Sequence, residues 1–288
     1  LLNFLPAKLI PHSYALFAMV FAAVTFVVLF EMLQGYFGKR FALHSTLVIA
    51  ALPLAYQQLI TSLAGIIWNM LLILIFLYFM PVPKAKKKRW LYGVTGVVLI
   101  GSHPLSLLML PLYVYKLRMD PENKWIHGLF VLSAILYFWF GITPKSMFFS
   151  RLDILPVILL GGVVVGSVFG PIKTASFIIY ERLSICGAVI LIFLFAFEGL
   201  FWSERTRREK ELFFVSLYLI VSTVTISMLS GNYNYKLMIP WEVTRYLFVA
   251  RILFWVLLIS ACLPLIHRTF NMIYLYALLI GLVLISNT

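Results

Sequence analysis

Residues 231–251, GNYNYKLMIPWEVTRYLFVAR, join a polar, aromatic stretch to a hydrophobic run that carries an arginine well inside it. The chemistry these residue types offer is anion binding. Guanidinium and ammonium groups hold phosphate oxygens, and aromatic rings stack on sugars or anchor at a membrane interface. An ionised side chain at the centre of a membrane helix costs about 2.5 to 3.5 kcal/mol on insertion scales, so Arg251 points to a functional site. A helix starting near Trp241 would carry Arg245 near its start and Arg251 roughly 9 Å deeper and about 600° further round. The two arginines then occupy different faces. Helical side chains lean toward the helix start, which aims both guanidinium groups at the GNYNYK end. Lys236, Arg245 and Arg251, with Tyr233, Tyr235 and Trp241, are the expected lining of a cationic, aromatic mouth at one membrane surface.

Other polar residues fall inside or at the ends of apolar runs. His103 precedes Pro104, where an imidazole can bind an anionic group or take up a backbone group released by a kink. Asn69, in GIIWNMLL, reads as glue between helices or as a ligand. Glu31 and Glu198 fall at span ends, where a carboxylate reaches water or a neighbouring cation. Gln57 and Gln58 lie near the outer end of a span and are candidates for the same mouth. Glu242 stands three residues before Arg245, a spacing that permits an intrahelical ion pair as well as chemistry. Few intramembrane acids exist to neutralise Arg245 and Arg251, which favours phosphate or headgroup binding over structural pairing.

The elements that must position these residues follow from composition. Hydrophobic residues make up 63% of 288 and charged residues 11%, with mean hydropathy +1.02. An all-α polytopic membrane protein is expected, with 1–288 a single transmembrane helical domain. Apolar runs near 12–33, 41–58, 63–80, 91–115, 127–141, 154–170, 185–201, 212–230, 243–264 and 270–287 give about ten spans, some short for a hydrocarbon core of ~30 Å. The run at 91–115 is expected to be one kinked span broken at His103-Pro104, with two half-helices as the alternative. GPIKTASFIIYERLSICG is too polar to span and reads as an interfacial helix.

Net charge is +13, from 23 Lys and Arg against 10 Asp and Glu. In such a chain this excess reads as cytoplasmic loops and anionic lipid headgroups, not nucleic acid. The richer set of alternate loops takes in KAKKKRW and SERTRREKE with Lys39, Arg40, Lys145, Arg151 and Arg268. The poorer set holds Lys8, Lys116, Arg118, Lys124, Lys173, Arg182, Lys236 and Arg245. The expected location is the plasma (inner) membrane, with the richer loops cytoplasmic and the GNYNYK stretch and both chain ends outside. Cys186 and Cys262 fall within or beside spans and support neither a disulfide framework nor a cysteine metal site. The chain lacks a glycine-rich phosphate loop, HExxH, CxxC, GxSxG and a regular arginine series, so motif-defined hydrolases, ATPases and voltage sensors lose weight.

Three stretches in order carry a resemblance. FEMLQGYFGKRFALHSTLVIAALPLAYQQLITSLAGIIWNMLLILIFLYF, LYGVTGVVLIGSHPLSLLMLPLYVYKL and VTRYLFVARILFWVLLISACLPLI resemble segments of GT-C membrane glycosyltransferases, over residues 12–118 and 240–266. The resemblance implies a GT-C-like helix bundle. Such an enzyme would take a sugar from a polyprenyl-phosphate carrier on the extracytoplasmic side, with a divalent cation by family analogy and Lys236, Arg245 and Arg251 seating the lipid phosphate. In that superfamily the catalytic acid lies in the first external loop. The outer-side acids here are Asp120, Glu122, Glu181 and Glu242, without an Asp-x-Asp pair, so the catalytic residue is unassigned. The loop would belong to a segment preceding Leu1 or to a partner membrane subunit. The alternatives are a non-catalytic subunit with that scaffold, or a transporter, flippase or polymerase for lipid-linked sugars.

Overall fold

The computed structural model describes residues 10–51, 63–141, 155–169, 177–230 and 240–268. Regular structure among them is helical throughout, with no strand. The helices are α1 (Ile10–Phe37), α2 (Lys39–Ala51), α3 (Leu63–Phe79), α4 (Lys86–Ile100), α5 (Leu110–Met119), α6 (Lys124–Gly141), α7 (residues 155–169, with a π-helical stretch Ile158–Val165), α8 (Phe177–Phe201), α9 (Arg207–Ser230) and α10 (Pro240–Arg268). The chain divides into two compact units, Leu1–Leu43 with Gln57–Lys145, and His44–Tyr56 with Ser146–Thr288.

In the first unit, α1 packs on α3, α3 on α4, and α4 and α5 on α6. Gly38, at φ +82°, ends α1 in the left-handed region that glycine enters without a Cβ penalty. Tyr36 Oη donates to the Phe79 carbonyl at 3.3 Å and Tyr92 Oη to that of Leu77 at 2.8 Å. These bonds gather the end of α1, the end of α3 and the start of α4 around the basic KAKKKRW turn.

α4 then stops short. Its 15 residues rise about 22 Å, less than a hydrocarbon core of ~30 Å. Pro104 has no N–H and forces His103 into extended backbone, φ −151° and ψ 134°. Hydroxyls take two of the carbonyls at the break, Ser102 Oγ that of Leu99 and Ser106 Oγ that of Ile100, each at 2.6 Å. A 3₁₀ turn, Pro104–Met109, leads into α5.

α5 returns toward the KAKKKRW turn. The His103 ring lies 4.7 Å from that of Trp68, near the start of α3. Tyr113 packs on Tyr78 near the end of α3, at 5.8 Å, and the Lys116 ammonium stands 4.8 Å from the Tyr78 ring centre. Trp125 at the start of α6 meets Trp90 at the start of α4, 6.0 Å between ring centres. The single kinked span expected over 91–115 is therefore a pair of half-helices, and Lys116, Arg118 and Lys124 join the basic end of the unit. Hydropathy cannot separate the two arrangements because both bury the same apolar residues.

In the second unit α10 packs on α9, α7 and α8. Every residue from Leu247 to Leu257 is buried, the signature of a helix enclosed on all sides. α8 is continuous from Phe177 to Phe201, so the second half of the expected interfacial segment forms the first turns of that helix.

Among the described residues, His12–Phe37 and Ser184–Glu204 are long and apolar enough to cross a membrane. Shorter apolar helical stretches are Gly65–Phe79, Leu155–Val165 and Leu247–Ala261. Large apolar side chains face outward on several helices, among them Leu16 and Val27 of α1, Leu91 and Val98 of α4, Trp139 and Phe140 of α6, and Ile185 and Phe193 of α8.

Candidate functional site

Arg251 sits at the middle of the enclosed stretch of α10 and is 1% exposed. A guanidinium there needs acceptors, and the π-helical stretch of α7 offers one. Arg251 Nε donates to the Gly162 carbonyl at 3.0 Å. Glycine makes the approach feasible: a Cβ built on Gly166 would stand 2.7 Å from an Arg251 terminal nitrogen and 3.2 Å from both Cζ and Nε. One on Gly162 would stand 2.9 Å from Leu247. Trp255, one turn beyond Arg251, donates its indole N–H to the Ser167 carbonyl at 2.8 Å. Residues 247, 251 and 255 thus form one i, i+4 stripe of α10 against the glycine face of α7. The charge-assisted bond from Arg251 is of the stronger class, about 1.5 to 3 kcal/mol.

Arg245 lies on α10 by its backbone. Lys236, Tyr233 and Tyr235, with Gln57 and Gln58, fall outside the described residues, so the expected mouth is described only through Arg251. His103 belongs to the first unit, where its Nδ1 accepts the Leu105 N–H at 3.0 Å and its ring stacks beside Trp68. That bond caps the 3₁₀ turn, so one imidazole nitrogen is committed to backbone. Asn69 Nδ2 donates to the Gly65 carbonyl one turn back in its own helix, at 2.9 Å.

Two further polar clusters come together in the fold. Glu198, expected to reach water or a neighbouring cation, meets the cation: it is 3% exposed and accepts from Arg205 at 2.9 Å. The same Arg205 nitrogen donates to the carbonyls of Ser260, at 2.6 Å, and Ala261, at 3.0 Å. Pro264 explains the first of these: it has no N–H for the carbonyl four residues back, which is that of Ser260. The arginine completes the ladder that the proline interrupts. The signal available beforehand was ACLPLIHR, a proline inside a helical pattern with its orphaned carbonyl at a computable position.

The second cluster closes the turn between α5 and α6. Asp120 Oδ2 accepts from His127 Nε2 at 3.1 Å, and Asn123 Nδ2 donates to both Asp120 oxygens, at 3.1 and 3.0 Å. Partial burial pushes the Asp120 carboxyl up, but the bonds from His127 and Asn123, with the nearby Lys116 charge, hold it below the ordinary aspartate value. His127 and Tyr113 are buried and stacked, with ring centres 6.5 Å apart. His127 Nδ1 and Tyr113 Oη have no hydrogen-bond partner among the described residues.

No protein-family model, curated protein sequence or solved structure matches this chain. Among the described residues, no three His, Cys, Asp or Glu side chains stand together to hold a metal ion. The site offers a desolvated cation on an enclosed helix, held by the Gly162 carbonyl.

Proposed function

We propose that this chain is a multi-pass membrane protein that binds a polyprenyl-phosphate-linked sugar, in the manner of a GT-C glycosyltransferase. The observation that carries the reading is Arg251, an arginine enclosed in an apolar helix with Arg245 six residues nearer the polar, aromatic GNYNYK stretch. Intramembrane cations mark substrate pathways, and a lipid phosphate at an interface needs a cationic seat. Membrane placement draws support from the outward apolar faces of α1, α4, α6 and α8, while Thr25, Asn69, Ser106 and Thr223 are buried. In water, contiguous apolar surface on that scale would drive association. The resemblance in the three quoted stretches supports the sugar-transfer class.

The break at Gly101–Pro104 and the π-helical stretch of α7 favour a second reading, in which the protein moves a lipid-linked sugar across the membrane. Discontinuous helices are a recurring feature of transporter binding sites.

The test uses the full chain in lipid nanodiscs, titrated with a polyprenyl phosphate. Arg245→Ala should weaken binding by tenfold or more, about 1.4 kcal/mol, with unchanged thermal stability. Unchanged affinity in Arg245→Ala and in Arg251→Lys would sink the proposed seat. Sugar transfer to an acceptor from a polyprenyl-phosphate-sugar donor distinguishes the enzyme, and vectorial movement of that donor in proteoliposomes without transfer distinguishes the transporter. Binding with neither leaves a non-catalytic, carrier-binding membrane subunit.

A further inference from the structure

The return of α5 brings two aromatic residues and several cations to one end of the first unit. Trp90 and Trp125 pack together at 6.0 Å yet remain 57% and 45% exposed. One turn before Trp90 stand Lys86, Lys87 and Lys88, all exposed, and Lys84 is exposed in the preceding turn. Lys124 precedes Trp125 and is exposed as well. Arg89 differs: its guanidinium donates to the carbonyls of Pro83 and Lys84, each at 3.1 Å, and so fixes the shape of the basic turn.

Beyond the tryptophans, both helices turn apolar faces outward. On α4 these are Leu91, Val94 and Val98, and on α6 Leu132, Ile135 and Leu136. Each helix therefore passes outward from ammonium groups through an indole to aliphatic side chains, which is the order of phosphate, headgroup and hydrocarbon across one leaflet. Asp120, bonded to His127 and Asn123, is engaged away from this role, and Glu122 is the one exposed acid between α5 and α6.

We propose that the Trp90–Trp125 pair with Lys84, Lys86, Lys87, Lys88 and Lys124 forms a binding surface for the headgroups of anionic phospholipids, in the leaflet facing the KAKKKRW turn. Clusters of four to eight basic residues beside a membrane helix attract anionic lipid, and indole rings set their depth. The surface rests on the membrane reading given above and lies on a different element from Arg245 and Arg251.

The experiment combines two measurements on the full chain. Alkaline carbonate treatment of vesicles carrying the protein tests membrane integration. Native mass spectrometry of the detergent-purified protein with equimolar phosphatidylglycerol and phosphatidylcholine then reads headgroup preference. Retention in the pellet is expected, with phosphatidylglycerol adducts exceeding phosphatidylcholine by about fivefold at low salt. The quadruple variant K84Q/K86Q/K87Q/K88Q should fall toward parity, and the matching Lys→Arg variant should keep the preference. K124Q, which leaves the KAKKKRW turn intact, should lose part of it.

Release by carbonate overturns the membrane reading and the surface with it. Retention without headgroup preference, or a preference that survives both glutamine variants, overturns the surface alone. Displacement of the lipid by millimolar inorganic phosphate would show a free-anion site and overturn the lipid assignment.

Discussion

Replacing Gly166 by alanine probes the seat of Arg251 directly. The added methyl would stand 2.7 Å from an Arg251 terminal nitrogen and 3.2 Å from Cζ and Nε, where ordinary heavy-atom contacts lie near 3.5 to 4.0 Å. The guanidinium must then move by roughly half an ångström or more. A flexible side chain normally does so cheaply, but here it cannot swing to water, since α10 is buried from Leu247 to Leu257. Its Nε bond to Gly162 is already 3.0 Å long, and such a shift takes it to the limit of useful geometry. Losing a charge-assisted bond costs about 1.5 to 3 kcal/mol, and overpacking alone costs about 1 to 3, although relieving one incurs the other. Exchanging glycine for alanine in a helix returns roughly 0.5 to 1 kcal/mol. The net expectation is a loss of about 0.5 to 2.5 kcal/mol.

Denaturant titration in mixed micelles, followed by tryptophan fluorescence, measures this. Gly35→Ala is the control, because a methyl there meets nothing within 4 Å and should leave stability unchanged or raise it. The Gly166→Ala penalty should also vanish in an Arg251→Met background, where the long side chain lacks its rigid fork. If Gly166→Ala matches Gly35→Ala, or its penalty persists without the guanidinium, then Arg251 does not sit against Gly166 and the seat is misassigned.

Other consequences follow from the same geometry. Arg205→Met should destabilise by about 3 to 5 kcal/mol, because it strands the Glu198 carboxylate and the carbonyl released by Pro264; adding Glu198→Gln should recover part of that loss in the same titration. Gly38→Ala should cost about 1 to 2 kcal/mol, since φ +82° is a left-handed conformation that alanine adopts with strain, and a neutral outcome would mean the α1–α2 turn is not held there. Asp120, with its folded-state pKa depressed, adds stability that is present above the ordinary aspartate value and disappears as pH falls through the lower folded value. An acid titration of unfolding should therefore show a loss of stability in the wild type that is absent in Asp120→Asn, and superimposable pH profiles would remove the carboxylate from that turn.

Local features made much of the helical architecture readable from the sequence. Apolar runs, glycine and proline act within a few residues, so the positions of α1, α3, α9 and α10 and the break at His103-Pro104 follow from hydropathy and backbone chemistry alone. Arg251 likewise announced itself as a charge in an apolar helix. Its neighbours did not: Gly162 and Gly166 lie more than eighty residues away, and which helix faces a buried charge is a tertiary property. The same holds for Glu198, whose burial depends on Arg205 and on carbonyls of α10. The direction of α5 was undecidable from sequence because a kinked span and a hairpin bury the same apolar residues. Only the packing of Tyr113 on Tyr78 and of Trp125 on Trp90 resolves it, and with it the end of the unit at which Lys116, Arg118 and Lys124 lie. Sequence alone determined where helices form and which charges need an explanation, because those are energies of single segments; tertiary structure decided what each charge pairs with, because that is an energy between segments.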